Sequence, residues 1–255
     1  MNTQITLDQL KKLKLFGMAN AYQAVLSLPV QEQPSTHQLM ARLTEAETQN
    51  RVQIKTESYL KQSKLRYNAV IEQVYCNTSR NLTQDSLLAV ADCSFINRSE
   101  NILITGATGC GKSYLACAIG RQACSFGYKT LYLGMTRFLE KIAQSKIDGT
   151  FVKMLNLFEK THLLIFDDFG LHPMEKITRL ALLQILEDRY GKKSTLIASQ
   201  LPIDKWYPYI GESTIADAIM DRLSANAHRF DLKGESLRKK EMKKMINIAS
   251  QICPI

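Results

Sequence analysis

A chain that carries Gly106-Ala107-Thr108-Gly109-Cys110-Gly111-Lys112-Ser113 has few folds open to it. The stretch fits G-x-x-x-x-G-K-[ST], a pattern that arises by chance in roughly one chain of this length in a hundred. Its flanks narrow the reading. Asn101-Ile102-Leu103-Ile104-Thr105 is a short apolar, β-branched run that reads as a buried parallel strand. From Ser113 to Phe126 the residues Leu115, Ala116, Ile119 and Ala123 recur at helical spacing, and Gly127 is a natural stop. Strand, glycine-rich turn and helix in that order make a phosphate cradle. Gly106, Gly109 and Gly111 let the backbone curl until successive N–H groups face inward. The helix N-terminus adds its positive end. Lys112 brings a point charge to the β- and γ-phosphates, and the Ser113 hydroxyl is a ligand for Mg²⁺. Ala107, Thr108 and Cys110 complete the cradle, so ATP and Mg²⁺ are the expected ligands.

A second signal is Leu163-Leu164-Ile165-Phe166-Asp167-Asp168, an unbroken apolar strand closing on two carboxylates. A parallel strand covered on both faces reads this way, and its carboxyl end emerges beside the phosphate turn. Asp167 is placed to hold Mg²⁺ directly or through water, and Asp168 to orient the water that attacks the γ-phosphate. On its own the run is a core strand meeting a solvated acidic turn; the phosphate turn upstream gives it chemistry. An aspartate at 168 carries its carboxylate one methylene short of a glutamate, so slow, switch-like hydrolysis is expected.

At 255 residues the chain can bury one substantial core and spare a smaller module. No apolar run approaches a membrane span, and the polar start Met1-Asn2-Thr3-Gln4 lacks a signal-peptide core. The expectation is a soluble cytoplasmic protein without membrane contact. The six cysteines, at 76, 93, 110, 117, 124 and 253, form no C-x-x-C pair. Cys110, Cys117 and Cys124 fall where small buried residues pack and read as reduced core thiols. Four scattered histidines speak against zinc. A formal charge of +9 and a pI near 9.2 favour a polyanionic partner, nucleic acid first, although basic proteins without one are common.

The first ninety or so residues read as helical. Thr6-Leu7-Asp8-Gln9 has the form of a capping box, and Leu7, Leu10, Met18, Tyr22, Val25 and Leu26 follow as apolar positions up to Pro29. A second capping box, Ser35-Thr36-His37-Gln38, opens a long polar helix with Leu39, Leu43 and Ala46 on one face. Lys11, Lys12, Lys14, Arg51, Lys55, Lys61, Lys64 and Arg66 make this region basic. Such charges usually coat a solvated face; here they also suit contact with DNA or a partner. From Asn101 onward strands at 102–105, 130–133, 163–167, 195–199 and 229–232 alternate with helices, notably Glu175 to Tyr190. That alternation predicts an α/β fold, a doubly wound parallel sheet with helices on both faces. The expected organisation is a helical module at 1–90, an ATPase core at 91–240 and a basic tail at 241–255. Arg238, Lys239, Lys240, Lys243 and Lys244 belong to a helix-like segment read equally well as a frayed terminus or as a phosphate-contacting one.

Taken together, several stretches resemble AAA+ ATPases of the IstB/DnaC-like family. They are the phosphate turn, the Asp-Asp-Phe-Gly end of the third strand, Ser199-Gln200-Leu201-Pro202 followed by Trp206, Met220-Asp221-Arg222-Leu223, and Ala227-His228-Arg229-Phe230 leading to Lys233-Gly234-Glu235-Ser236. The resemblance spans roughly 95 to 240 and is nearest the IstB branch, helper ATPases encoded beside a transposase. It implies a P-loop AAA+ core, with Gln200 as the polar sensor of the γ-phosphate and Arg222 as an arginine finger reaching the ATP of a neighbouring subunit. A guanidinium suits that role because it stays charged and can bridge phosphate oxygens. Arg229 is the rival finger and Arg238 a candidate second sensor. The chain ends soon after the fifth strand, with no room for the usual helical lid, which sets any lid-borne sensor in question.

The same resemblance implies a cycle of ATP-dependent homo-oligomerisation on duplex DNA, target selection and recruitment of a cognate transposase, ended by hydrolysis. A DnaC-like replicative helicase loader is the alternative. A small-molecule kinase on the same phosphate turn is a third reading, against which stand the absence of an Arg-rich lid and the presence of the Ser-Gln and Asp-Arg elements. A non-enzymatic DNA-binding protein would not need the intact metal and water-positioning residues.

Overall fold

The computed structural model describes residues 3–237. The basic run from Arg238 to Lys244, the tail 241–255 and the lid expectation therefore lie outside the described residues. By contact density the chain divides into two compact units, Met1–Ser58 and Tyr59–Ile255.

In the first unit, α1 (Thr3–Lys12) and α2 (Phe16–Leu26) precede α3 (Thr36–Ser63), whose residues from Tyr59 onward belong to the second unit. The capping box at Thr6 does not form: α1 already runs from Thr3, and Gln4 donates to Asp8 one turn on at 3.1 Å. The apolar run up to Pro29 is also split. Lys14 adopts φ +60, and the Lys14 and Leu15 amides bond back to the Lys11 and Leu10 carbonyls, each at 2.9 Å. This is a Schellman-type stop built without glycine. Leu15 gives α2 no side-chain cap; Glu47 of α3 does so instead, accepting from the Gly17 amide at 2.9 Å and the Met18 amide at 3.3 Å. Gly17 is required there, because a Cβ would run into the Ala46 carbonyl of α3. At Ser35 the capping box forms as expected, with Ser35 and Gln38 exchanging backbone-to-side-chain bonds at 3.1 and 3.5 Å.

The first α-helices lying wholly within the second unit are α4 (Gln84–Ala91) and α5 (Ser94–Asn97). Alternation follows: β1 (Asn101–Gly106), α6 (Lys112–Ser125), β2 (Thr130–Gly134), α7 (Met135–Ile147), α8 (Phe151–Glu159), β3 (Leu163–Phe169), α9 (Lys176–Arg189), β4 (Ser194–Ser199), α10 (Trp206–Ile210), α11 (Ser213–Ser224) and β5 (Ala227–Leu232). All five strands are parallel, in the order β2-β3-β4-β1-β5. Side chains alternate between two cores. Ile102, Ile104, Leu163, Ile165, Leu196 and Ala198 face α4, α5 and α6. Leu103, Leu131, Leu133, Leu164, Phe166 and Ile197 face α7 to α11. Helices on both faces are why the middles of β1, β3 and β4 are unbroken apolar runs, whereas the edge strand β5 alternates apolar with polar residues. Each fully buried Leu or Ile contributes about 1.5–3 kcal/mol. Ala69, Ile71, Leu82, Leu87 and Val90 belong to the first of these cores, so residues 59–90 pack with the sheet.

One buried cation ties the amino-terminal edge of the sheet. Arg189, 1% exposed, donates to the carbonyls of Phe158 at 2.5 Å, Thr161 at 2.8 Å, His162 at 3.4 Å and Ser194, and to the Thr195 hydroxyl at 3.2 Å. Cys110, Cys117 and Cys124 are buried, and burial raises the thiol pKa of Cys117 and Cys124. Among the described residues no helix is long and apolar enough to cross a membrane.

Candidate nucleotide-binding site

The turn between β1 and α6 lies at the carboxyl ends of the strands, where open α/β sheets bind ligands. Gly109 and Gly111 have φ of +85 and +92, values that close the turn and that other side chains adopt only at a cost. The turn is braced from outside. Arg80, 7% exposed, donates to the Cys110 carbonyl at 2.6 Å and to the Tyr75 carbonyl. The Leu237 amide bonds the Gly109 carbonyl at 3.0 Å, and a Cβ on Gly109 would collide with Ser236. Lys112 is 6% exposed and its ammonium donates to the Ala107 carbonyl at 2.9 Å. A buried ammonium on its own loop's carbonyl has a weak neutral partner that a phosphate oxygen would outcompete. The glycine-only geometry, the aimed helix N-terminus and this ammonium fit a nucleotide polyphosphate.

Above the turn is a cleft of about 440 Å³ lined by Thr108, Gly109, Gly111, Lys112 and Ser113, with Asp168 and Gln200 on the opposite side. Gln200 leaves β4 toward the turn, and its Oε1 accepts from the Thr108 hydroxyl at 2.7 Å. Asp168 reaches the cleft through a β-bulge. Phe166 pairs with Ile197 and Phe169 with Ser199, so β3 advances three residues while β4 advances two. Asp168 sits at φ +59, in the left-handed region that Asp and Asn tolerate best. Strict alternation would have turned Phe169 toward the face of Asp167. The bulge returns it to the face of Phe166, where its ring packs 4.9 Å from Trp206.

Asp167 is fully buried, and its carboxylate is held at both oxygens: Tyr132 donates to Oδ2 at 2.5 Å and the Asp168 amide to Oδ1 at 2.9 Å. Burial, then Asp167, raises the Tyr132 pKa, so the phenol stays a donor. Asp167 and the Ser113 hydroxyl are the oxygen donors suited to Mg²⁺. Asp168 forms an ion pair with Arg66 at 3.5 Å. The neighbouring charge of Tyr67, then Tyr132 and Asp168, raises the Arg66 pKa. Tyr67 and Tyr114, rings 6.4 Å apart, give the cleft an aromatic wall.

The sequence profile of the IstB-like ATP binding protein family matches residues 8–245. The chain belongs to that family. Its relatives include an insertion sequence ATP-binding protein of Sinorhizobium fredii, 41% identical over 239 residues, covering 94% of this chain and 98% of the relative. The fold is that of AAA+ proteins. An AMPPCP-bound DnaA from Aquifex aeolicus aligns with a TM-score of 0.57 at 20% identity, over 72% of this chain and 56% of DnaA. The DnaC helicase loader aligns with a TM-score of 0.55 at 18% identity, over 67% of this chain and 99% of the loader.

Of the residues read from the sequence, this IstB-like chain brings together the phosphate turn, Asp167, Asp168 and Gln200. Arg222 stands apart, on α11. Its guanidinium pairs with Glu187 at 2.6 Å, donates to the Ala218 carbonyl at 2.9 Å and lies 5.9 Å from the Tyr190 ring centre. Arg229 is exposed on β5, an edge strand. Sequence reasoning does not single out Arg66, Tyr67, Arg80 or Tyr132 for the site. Each reaches it from 30 or more residues away, with no local motif to mark it.

Proposed function

We propose that this IstB-like protein is an ATP-hydrolysing switch that assembles on duplex DNA with ATP bound and regulates a cognate transposase. The observation that carries the reading is the convergence of Lys112, Ser113, Asp168 and Gln200 on one cleft, with the buried Asp167 directly behind it. In this reading the turn's N–H groups and Lys112 bind the β- and γ-phosphates. Ser113 and Asp167 hold Mg²⁺, which neutralises phosphate oxygens. Asp168 orients the attacking water, and Gln200 exchanges its bond to Thr108 for one to the γ-phosphate or that water. Tyr67 and Tyr114 offer a flat surface for the base.

An arginine supplied by a neighbouring copy completes the site. Arg222 fills that role if it exchanges Glu187 for phosphate; Arg229 is the rival. ATP then lies at an interface, where its γ-phosphate stabilises assembly and hydrolysis weakens it. The net charge of +9 and the exposed Lys11, Lys12 and Lys14 support contact with DNA phosphates, and the helical 1–90 region is the candidate surface for DNA or transposase.

Two measurements test this. Lys112→Ala should abolish tight ATP binding without unfolding the chain, and an unchanged titration would remove the reading. With ATP at fixed ionic strength the protein should favour duplex over single-stranded DNA. A preference for single strands together with binding to a replicative helicase would instead make it a loader.

A further inference from the structure

Behind the Asp168 carboxylate lies a second cavity of about 500 Å³, at the carboxyl end of β2. Its walls carry the cations Lys64, Arg66, Arg137 and Lys141 and a single carboxylate, Asp168. Lys64 and Arg66 come from the stretch after α3; Arg137 and Lys141 lie one turn apart on α7 and so project from the same face. Among the described residues no carboxylate stands at ion-pair distance from Lys64, Arg137 or Lys141. Partial burial, then the charges of Lys64 and Arg137, lower the Lys141 pKa. Cations gathered at mutual cost around one wall are the arrangement an oxyanion relieves, and guanidinium with ammonium is the pairing that takes phosphate. The Arg66–Asp168 pair is also a wall of the nucleotide cleft, so one ion pair partitions the two spaces.

We propose that this cavity is a phosphate-binding site, in which a phosphate held by Lys64, Arg137 and Lys141 competes with Asp168 for Arg66. Two sources share the chemistry: the inorganic phosphate released on the other side of the partition, and a phosphodiester of bound DNA. Either one draws Arg66 away from Asp168, which couples occupancy of this cavity to the carboxylate that orients water. That coupling rests on the hydrolytic reading above; the existence of the site does not.

The test uses the full chain and its Arg137→Gln/Lys141→Gln variant, neither residue lining the nucleotide cleft. Protein saturated with a non-hydrolysable ATP analogue and Mg²⁺, so that the phosphate turn is filled, is titrated with inorganic phosphate by calorimetry. The same titration is repeated on Lys112→Ala protein, where the turn cannot compete. Parental protein should bind phosphate, and the double variant at least tenfold more weakly, with melting temperature and analogue binding preserved. In the second arm, duplex DNA affinity is followed against salt. Removing two phosphate contacts should make the log–log slope shallower by about 1.8. Weakening in the first arm alone identifies free phosphate as the ligand, and a shallower slope identifies the DNA backbone. If neither arm changes, the cavity is not a phosphate site. Failure of the parental chain to bind the analogue would sink the nucleotide reading, while the titration on Lys112→Ala still decides this one.

Discussion

Replacing Asp168 with asparagine should separate hydrolysis from everything that precedes it. The carboxylate lines the cleft and, in the proposed function, orients the attacking water; losing general-base assistance costs about 10²–10⁴ in rate, or about 3–5 kcal/mol in the barrier. The fold should barely notice. Asparagine tolerates the φ of +59 as well as aspartate does. The substitution breaks a 3.5 Å ion pair to Arg66 whose side chains are 49% and 31% exposed. A pair so open to water is worth about 0–1 kcal/mol, which in a chain of this size is a melting shift within about 4 °C. ATP affinity should stay within a few-fold, because Lys112, Ser113 and Asp167 are untouched. Asp168→Glu is the instructive contrast. It keeps a carboxylate but puts a longer side chain in the left-handed region, at a cost of about 1 kcal/mol. Single-turnover phosphate release and thermal melting, run on the three proteins with saturating Mg²⁺ and ATP, give the comparison. Parental turnover by Asp168→Asn would refute the assignment of Asp168, and loss of ATP binding would show it to be a ligand-holding group instead.

Three further outcomes follow. Tyr132→Phe removes the 2.5 Å bond to Asp167 and should raise the Mg²⁺ needed for half-maximal hydrolysis by about 10–100-fold, as loss of a ligand's hydrogen-bond partner does; an unchanged Mg²⁺ titration would exclude Asp167 as the metal's carboxylate. Arg222→Ala should bind nucleotide but not hydrolyse it. Mixed with Asp168→Asn it should regain activity at interfaces joining an intact Arg222 to an intact Asp168; no recovery despite co-assembly transfers the finger to Arg229. Glu100 is held at a pKa of about 2, below its ordinary 4.5, chiefly by the Arg98 hydrogen bond and then by His228. Because the folded value is the lower one, its stabilisation is complete above pH 4.5 and is lost as pH falls toward 2. Melting curves of Glu100→Gln should lack that part of the acid sensitivity, and identical pH profiles would contradict it.

The sheet was readable because both its faces are covered: four apolar runs and the alternating edge stretch 229–232, each within two residues of an observed strand, carried the whole topology class. The phosphate turn was readable because its ligands are consecutive. The bulge was not, since Asp167-Asp168 in a regular strand points to opposite faces, and only pairing with β4 reveals the extra residue. The same holds for Arg66, Arg80 and Tyr132, whose roles depend on chain segments brought together by the sheet. In the helical region, periodicity found the apolar positions but missed the turn at Lys14. A lysine at positive φ has no signature, and the cap on α2 comes from Glu47, about thirty residues downstream. Residues 59–90 share the basic, helical composition of what precedes them, so composition groups them there. Their buried Ala69, Leu82 and Val90 join the sheet's core.

Arg189 has a bearing on movement. Its guanidinium binds the exit of α8, the entry of β3 and the start of β4 into one knot, at the edge of the sheet opposite the phosphate turn. Those segments cannot shift separately without stranding several carbonyls in a dry interior. Whatever displacement nucleotide produces must therefore pivot about that fixed edge and grow toward the mouth of the cleft, where Gln200, Asp168 and the 233–237 stretch are found. Hydrogen exchange offers the readout. The amides of Leu163 and Thr195 should open only with global unfolding, with or without ATP, while those around the mouth change their protection when the ligand binds.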